Sequence, residues 1–349
     1  MALVLDIFAP QKSSIAEGLV GKIMMIYGGN NIGKTAQSVK FPKPLVLAAE
    51  NGLNGIDGVP FLPITRWSDF KKVINQLTSP ATKDKAREAY STIIIDEVYA
   101  TSIYCQDYVC QTYGDGALTM ADGDSKHNLY QLYEKEYFRQ INALTNAGYT
   151  IVFIAHQQEN TQTHFISPKG DKRCMNPIID KCDYVIYLKS NGVDSDNRVI
   201  KSSAYLAQTN EFFARSRIEY TPTFIKEFTV ENLTEAIQLG IDKKRELEGA
   251  KIVTFEEQQK TKEVAPLNFD GLMAEFKEIV GSIPGNGDIN GDTEEGKKFN
   301  TFWGPNITQI IEKHLGKDMK MSQCTSNQVE AVALIVDELK SFVEEHKSK

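Results

Sequence analysis

Short apolar runs, each bounded by polar or turn-forming residues, recur along the first two thirds of the chain. They have the length and the β-branched content of buried strands and fall at residues 22–27, 44–50, 91–98, 149–156 and 183–189. Apolar residues spaced three or four apart, or long runs free of turn signals, predict helices over 67–77, 99–113 and 127–147. This alternation predicts an α/β core with a mainly parallel sheet.

The turn after the first predicted strand carries a glycine-rich motif. The pattern G-x-x-x-x-G-K-[ST] is matched at every fixed position by Gly28, Gly29, Asn30, Asn31, Ile32, Gly33, Lys34 and Thr35. A strand before the motif and a helix after it are the context of a phosphate loop. Its backbone N–H groups can cradle a polyphosphate, while Lys34 reaches the β- and γ-phosphates and Thr35 ligates Mg²⁺. The motif therefore predicts nucleoside triphosphate binding, with ATP and Mg²⁺ as cofactors.

Reactive side chains stand at the ends of three predicted strands. Asp96 ends an apolar strand and is expected to hold Mg²⁺ through water, as a Walker B aspartate does. Glu50 and Glu97 compete for the role of positioning the attacking water, and their place in the sequence does not separate them. His156 is a candidate γ-phosphate sensor, because ligands gather at the carboxyl ends of parallel strands.

Basic residues follow these strands in two groups. Lys169, Lys172 and Arg173 either form a solvated loop or contact the phosphates of single-stranded DNA, and no aromatic residues are interleaved with them. Arg215 and Arg217 alternate, so on an extended segment they point the same way. They are either surface charges or arginine fingers that act on the ATP of a neighbouring copy.

The pattern divides the chain into a core over 1–240, a charged linker over 241–264, either helical or irregular, and a small helical module over 265–349. A helix is predicted over 232–238, and 114–124 reads as a mobile loop. Thr325 and Gln328 predict a capping box before the last helix. Residues 285–292 resemble a calcium loop but lack its glycine at position six and its glutamate at position twelve, so a solvated acidic loop is expected.

Composition narrows the class of protein. The 349 residues are 41% hydrophobic and 24% charged, which is typical of a soluble globular protein of about two domains. Neither a signal peptide nor an apolar run near the ~20 residues of a membrane span is seen, so a cytoplasmic location without a membrane partner is expected.

Five cysteines without a C-x-x-C pair read as reduced, mostly buried thiols. The net charge is −7, and 14 acidic against 9 basic residues after position 264 place most of it in the tail.

The order of these features resembles the RecA-like ATPases and, more narrowly, phage-encoded AAA-domain proteins of the single-strand annealing or recombination type. The resemblance covers about residues 20–240. It implies that Glu50 is the catalytic glutamate and that His156 takes the place of a glutamine sensor. It further implies that 157–176 and 114–124 are the two DNA-binding loops, and that Arg215 and Arg217 match two lysines acting across a subunit interface.

The function that this resemblance implies is ATP-dependent binding of single-stranded DNA by a homo-oligomer, either a ring or a filament. A phage-encoded protein of this kind would work in the host cytoplasm. The alternative is a nucleotide-gated adaptor or loader that binds a replication or recombination protein through its acidic C-terminal module. A small-molecule kinase is a third possibility, but the sequence has no evident arginine-rich lid.

Overall fold

A computed structural model describes residues 7–8, 10–122, 127–261 and 266–346 of the chain. The chain divides into two compact units, of which the larger is Gln11–Thr261 and the smaller contains the helices beyond residue 265. Residues 123–124 of the predicted mobile loop and residues 262–264 of the predicted linker lie outside the described residues.

The strands and helices alternate through the larger unit as the apolar pattern predicts. The strands are β1 (Ile15–Ala16), β2 (Ile23–Gly28), β3 (Pro44–Ala48), β4 (Phe61–Pro63), β5 (Thr92–Asp96), β6 (Thr150–Glu159), β7 (Ile166–Pro168), β8 (Tyr184–Lys189), β9 (Ser203–Tyr205), β10 (Arg215–Ser216), β11 (Phe224–Ile225) and β12 (Ile252–Val253). The α-helices are α1 (Lys34–Ser38), α2 (Trp67–Thr78), α3 (Lys83–Ala89), α4 (Val98–Tyr113), α5 (Leu129–Asn146), α6 (Lys172–Lys181), α7 (Val230–Glu248), α8 (Phe255–Lys260), α9 (Phe269–Gly281), α10 (Glu294–Lys298), α11 (Gly304–Leu315) and α12 (Val329–His346). The five strands and three helices predicted for the core are confirmed.

A twisted sheet forms the centre of the larger unit, with its main path in the order β11-β9-β8-β2-β6-β5-β3-β4. The strands from β8 to β4 along this path are parallel to one another. Inner strands such as β2 and β5 are buried on both faces, which is why the sequence shows continuous apolar runs rather than alternation. The prediction of a mainly parallel α/β sheet is confirmed.

Helices cover both faces of this sheet. On one face, Met25, Ile95 and Phe153 pack with residues of α2, α4, α5 and α6. On the other face, Met24 and Ile94 pack with residues of α7. The carboxyl ends of β2, β3, β5 and β6 lie on one side of the sheet, which we call the carboxyl edge.

The segment after His156 differs from the predicted loop. β6 continues to Glu159 and turns back through β7 as an antiparallel hairpin, and α6 begins at Lys172. The side chain of Gln158 ties the hairpin to Gly170, accepting from its N–H at 3.1 Å and donating to its carbonyl at 3.4 Å. Because these strand residues are mostly polar, the apolar pattern that marks the other strands could not reveal them.

The predicted charged linker is wrong over its described part. The predicted short helix is the start of α7, which runs past residue 240 to Glu248 and buries Ile241 completely. β12 then pairs with β1, and Thr254 with Glu257 forms a capping box that starts α8. The charges lie on the solvent side of an amphipathic helix, so charge content alone resembled that of a linker.

The smaller unit is helical, as the spacing of its apolar residues indicates. α9, α11 and α12 pack around a core that includes Trp303, Val336 and Leu339. The predicted capping box of Thr325 and Gln328 is confirmed and leads through a single 3-10 turn into α12. In the acidic loop, the Asp288 carboxylate accepts hydrogen bonds from Thr293, including one from the hydroxyl at 2.7 Å.

The corrected boundary can be tested through Phe255, which is 7% exposed and whose ring packs against Gly21 and Gly148. Phe255→Ala should lower the free energy of unfolding of the larger unit by ~3 kcal/mol, because it leaves a cavity in a packed site. Urea unfolding measures the change. Leu247→Ala, at a side chain 64% exposed, is the control and should cost under ~1 kcal/mol. If both variants lower the free energy of unfolding equally and only slightly, the prediction of a linker stands.

Candidate active site

The phosphate loop lies between β2 and α1, where the motif predicts it. Gly28, Asn31 and Gly33 have positive φ angles of 156°, 57° and 86°, so the backbone curls back on itself over this stretch. A Cβ atom on Gly28 would lie 2.6 Å from the carbonyl oxygen of Leu188, which leaves no room for a side chain there. α1 is a short helix of five residues, so the loop's N–H groups, more than a helix dipole, would face an anion.

Lys34 is buried at the centre of the loop. Its ammonium donates to the carbonyl oxygens of Gly29 at 2.6 Å and Gly28 at 3.2 Å. Burial lowers the pKa of Lys34, and the nearby carboxylates of Asp96, Glu97 and Glu50 oppose that shift. A buried cation held by neutral carbonyls fits a polyphosphate, which would supply the opposite charge.

The Thr35 hydroxyl donates to the Asp96 carboxylate at 2.9 Å, which joins the phosphate loop to the end of β5. Burial raises the pKa of Asp96, although the Thr35 hydrogen bond lowers it in part. Gly52 approaches so closely that a Cβ atom there would lie 2.5 Å from the Asp96 oxygen. Thr35 and Asp96 thus offer two hard oxygen ligands, and no side chain of Gly52 occupies the space beside them. This arrangement fits Mg²⁺.

Glu50 and His156 meet at the carboxyl edge although they are far apart in the sequence. β3 lies beside β5, and the N–H groups of Ala49 and Glu50 both donate to the carbonyl of Asp96, at 2.6 and 3.3 Å. The register of β2 and β6 places His156 opposite Gly28. The Glu50 Oε2 and His156 Nε2 atoms are 3.3 Å apart, and both side chains are partly exposed.

Glu97 occupies a different environment from Glu50. It is 1% exposed, and its Oε2 accepts the backbone N–H of His156 at 3.2 Å. Burial, followed by the charge of Glu50, raises the pKa of Glu97 to about 7. The two glutamates that the sequence could not separate therefore differ: Glu50 faces the open edge, while Glu97 supports the strand that carries His156.

The structure places the two arginines outside this cluster. Arg215 and Arg217 lie beside the start of β8, and both donate to the carbonyl of Asp180, at 2.9 and 2.8 Å. They also donate to the carbonyl of Cys182, so they cap the C-terminus of α6. The prediction that the two side chains point the same way is confirmed. Their role toward a neighbour's ATP stays a prediction.

The three basic residues of the predicted DNA loop lie after the hairpin, and two of them, Lys169 and Arg173, have aromatic neighbours. The Lys169 ammonium is 4.8 Å from the ring centroid of Tyr99, and the Arg173 guanidinium is 3.9 Å from that of Tyr130. Lys172 lies between them in sequence, on the first turn of α6. The two tyrosines come from α4 and α5, so a search along the basic segment itself misses them.

A cavity beside the hairpin was also missed by sequence reasoning. Its volume is about 810 Å³, and its lining includes Gln158, Asn160, Phe165, Lys172, Met175 and Asp180. The cavity forms because the hairpin stands away from α6. Polar and apolar residues are mixed in its lining, and no sequence pattern marks such a mixture.

A buried lysine inside the phosphate loop, together with the Thr35–Asp96 contact, assigns the site to the P-loop nucleoside triphosphatases. The chain belongs to the AAA domain family (AAA_24), whose model matches residues 21–218. It is also 45% identical over 343 residues to the SPbeta prophage-derived uncharacterized protein YorG of Bacillus subtilis (strain 168), across 98% of this chain and 100% of that protein. Both comparisons confirm the resemblance at the level of a phage-associated AAA-type ATPase.

Family membership adds one expectation, and the helices of the structure add one finding. Membership implies nucleotide binding, usually with Mg²⁺, which agrees with the ligands described above. Within the described ranges, no helix combines the length and the apolar character that crossing a bilayer would require.

Glu97→Gln should stabilise the nucleotide-free protein at high pH. The folded-state pKa of about 7 exceeds the usual 4.5, so the native state binds more protons between these values and stability falls as pH rises through them. Removing the carboxylate should gain ~3 kcal/mol above pH 7, and the gain should vanish towards pH 4.5. Urea unfolding across this range measures it.

The exposed Glu235 on α7 offers a control for this experiment. Glu235→Gln should leave the pH dependence of unfolding unchanged. A gain from Glu97→Gln that is the same at pH 5 and pH 8 would contradict the environment assigned to Glu97.

Proposed function

We propose that the protein is a Mg²⁺-dependent ATPase with a RecA-like core that assembles with itself and uses its ATP state to grip single-stranded DNA during annealing or recombination. The observation that carries the proposal is the meeting of Lys34, the Thr35–Asp96 pair and the Glu50–His156 pair at one edge of the sheet. Family membership supports the ATPase part. The DNA and assembly parts rest on the contacts described next.

Each residue of the site has a distinct task in this proposal. Lys34 and the loop N–H groups hold the phosphates, and Thr35 with Asp96 holds Mg²⁺, which neutralises phosphate charge. Glu50 orients the attacking water, since its side chain is 42% exposed and borders the open edge. Glu97 acts through another residue, because its bond to the His156 backbone holds the part of β6 that carries the sensor.

The comparison of Glu50→Gln with Glu97→Gln tests these assignments. Glu50→Gln should lower ATP turnover by about 10²- to 10⁴-fold, the usual contribution of a positioned acid–base group. Glu97→Gln should retain more activity, because glutamine can still accept the His156 N–H. Phosphate release under saturating ATP and Mg²⁺ measures both. If only Glu97→Gln abolishes turnover, the assignment is wrong.

A short chain of contacts links the sensor to the basic residues. The carbonyl of His156 accepts the backbone N–H of Lys169 at 2.8 Å. Lys169 and Arg173 lie against tyrosine rings, so this surface offers cations for phosphates beside aromatic faces on which bases stack. A change at the γ-phosphate would therefore reach the candidate DNA contacts through the hairpin.

The positions of the arginines support the assembly part of the proposal. Arg217 lies beside the amino-terminal end of β8, away from the phosphate loop at the other end of the parallel strands. A head-to-tail contact between copies brings opposite surfaces together, which would place the arginines of one copy near the ATP of the next. The guanidinium of each arginine would then bind a phosphate in place of the carbonyl groups at the C-terminus of α6.

Arg173→Ala tests the DNA surface. With ATP and Mg²⁺ present, it should weaken binding to a thymidine oligonucleotide by about tenfold and reduce the salt slope of log K by ~0.7, because one phosphate contact is lost. Fluorescence anisotropy at several salt concentrations measures both values. Arg66→Ala is the matched control, since Arg66 also pairs with a nearby aspartate, Asp69.

If Arg173→Ala leaves both the oligonucleotide affinity and the salt slope of log K unchanged, the proposed DNA-binding surface is wrong. If the parent protein hydrolyses ATP but shows no salt-dependent binding to single strands, the adaptor alternative replaces the DNA part of the proposal. In that case the acidic helical unit becomes the partner-binding region.

A further inference from the structure

The carboxyl edge brings together three side chains whose combined chemistry goes beyond the handling of water. Glu50, Glu97 and His156 each offer one donor atom, and these atoms all lie within 4.8 Å of one another. They come from the ends of three neighbouring strands, β3, β5 and β6, so the sheet fixes their spacing. Carboxylate oxygens and an imidazole nitrogen are both ligands that first-row transition metal ions such as Zn²⁺ accept.

Glu97 provides a second, independent observation. It is 1% exposed, and while its Oε2 accepts the N–H of His156, no donor in the described part of the chain reaches its buried Oε1. Burying a carboxylate oxygen without a partner is costly. A cation bound between the three side chains would supply the missing partner.

We propose that Glu50, Glu97 and His156 form a binding site for a first-row transition metal ion of the Zn²⁺ type, distinct from the Mg²⁺ ligands Thr35 and Asp96. The two sites differ in donor chemistry. The Thr35–Asp96 pair offers oxygen only, which suits Mg²⁺, whereas the imidazole nitrogen of His156 favours Zn²⁺. The carboxyl groups at this edge outnumber the single ammonium of Lys34, and a bound cation would favour their charged forms.

Occupation of this site would regulate hydrolysis. A metal ion bound by Glu50 removes the carboxylate that orients water, so it would act as an inhibitor. This consequence rests on the proposed function, but binding of the ion does not. Binding and inhibition are therefore measured separately.

A second His–Glu contact in the chain provides an internal comparison. His314 Nε2 lies 2.7 Å from Glu338, closer than His156 lies to Glu50. Glu338 also pairs with the Lys313 ammonium at 2.7 Å, and this cation opposes metal binding. If a close His–Glu pair were sufficient, both positions would bind; the proposal requires that only the first does.

The experiment titrates Zn²⁺ into the full-length, tag-free, nucleotide-free protein by calorimetry, with excess Mg²⁺ present. The half-buried Cys324 is replaced by serine throughout, so that its thiol cannot contribute. His156→Ala and Glu97→Gln should each weaken Zn²⁺ binding at least tenfold, while His314→Ala should not. Circular dichroism confirms that each variant is folded, and Glu97→Gln keeps the shape of the side chain should His156→Ala not fold.

Two results overturn the site: equal affinity in the parent and both site variants, or an equal loss in His314→Ala. The same Zn²⁺ concentrations should inhibit ATP turnover in the parent protein. Zn²⁺ binding that depends on His156 and Glu97 but leaves turnover unchanged supports the metal site and overturns the role of Glu50 in positioning water. The failure of each claim is thus distinguishable.

Discussion

The register of four parallel strands is the constraint on which the site depends. β6 lies between β2 and β5, so His156 faces Gly28 on one side, while Ile154 pairs with Asp96 on the other. The pairing of β3 with β5 then brings Glu50 to the same edge. A slip of one residue in any pairing would turn the strand's side chains to the opposite face and separate the groups. The site is therefore a product of the sheet rather than of any loop alone.

Electrostatics explain why this edge is costly to keep without a ligand. Burial raises the pKa of both Asp96 and Glu97 and lowers the pKa of Lys34, so each group resists its charged form. A nucleotide with Mg²⁺ would bring both signs of charge to these groups. Functional sites commonly carry shifted pKa values for this reason. The folded core supplies the stability that the edge lacks.

Sequence reasoning predicted what local pattern determines. The phosphate loop and the apolar parts of β2, β5 and β6 follow from a fixed motif and from continuous apolar runs. It failed where a contact depends on residues far away in the sequence. Tyr99 and Tyr130 contact the basic segment only after folding. It also failed where polar residues form regular structure, as in the β6–β7 hairpin and the later turns of α7. The difference between Glu50 and Glu97 is a difference of burial, which sequence order does not contain.

The proposed coupling between ATP and DNA would set a demand on the hairpin. Coupling between two binding sites is typically about 1–3 kcal/mol, and it must be reciprocal, so DNA would raise the affinity for ATP by the factor that ATP raises the affinity for DNA. The single hydrogen bond from Lys169 to His156 contributes only about 1 kcal/mol net. The rest must come from contacts that change together with it, namely the β6–β7 pairing and the two Gln158–Gly170 hydrogen bonds. Under that proposal the hairpin as a whole, rather than His156 alone, would be the element that takes two positions.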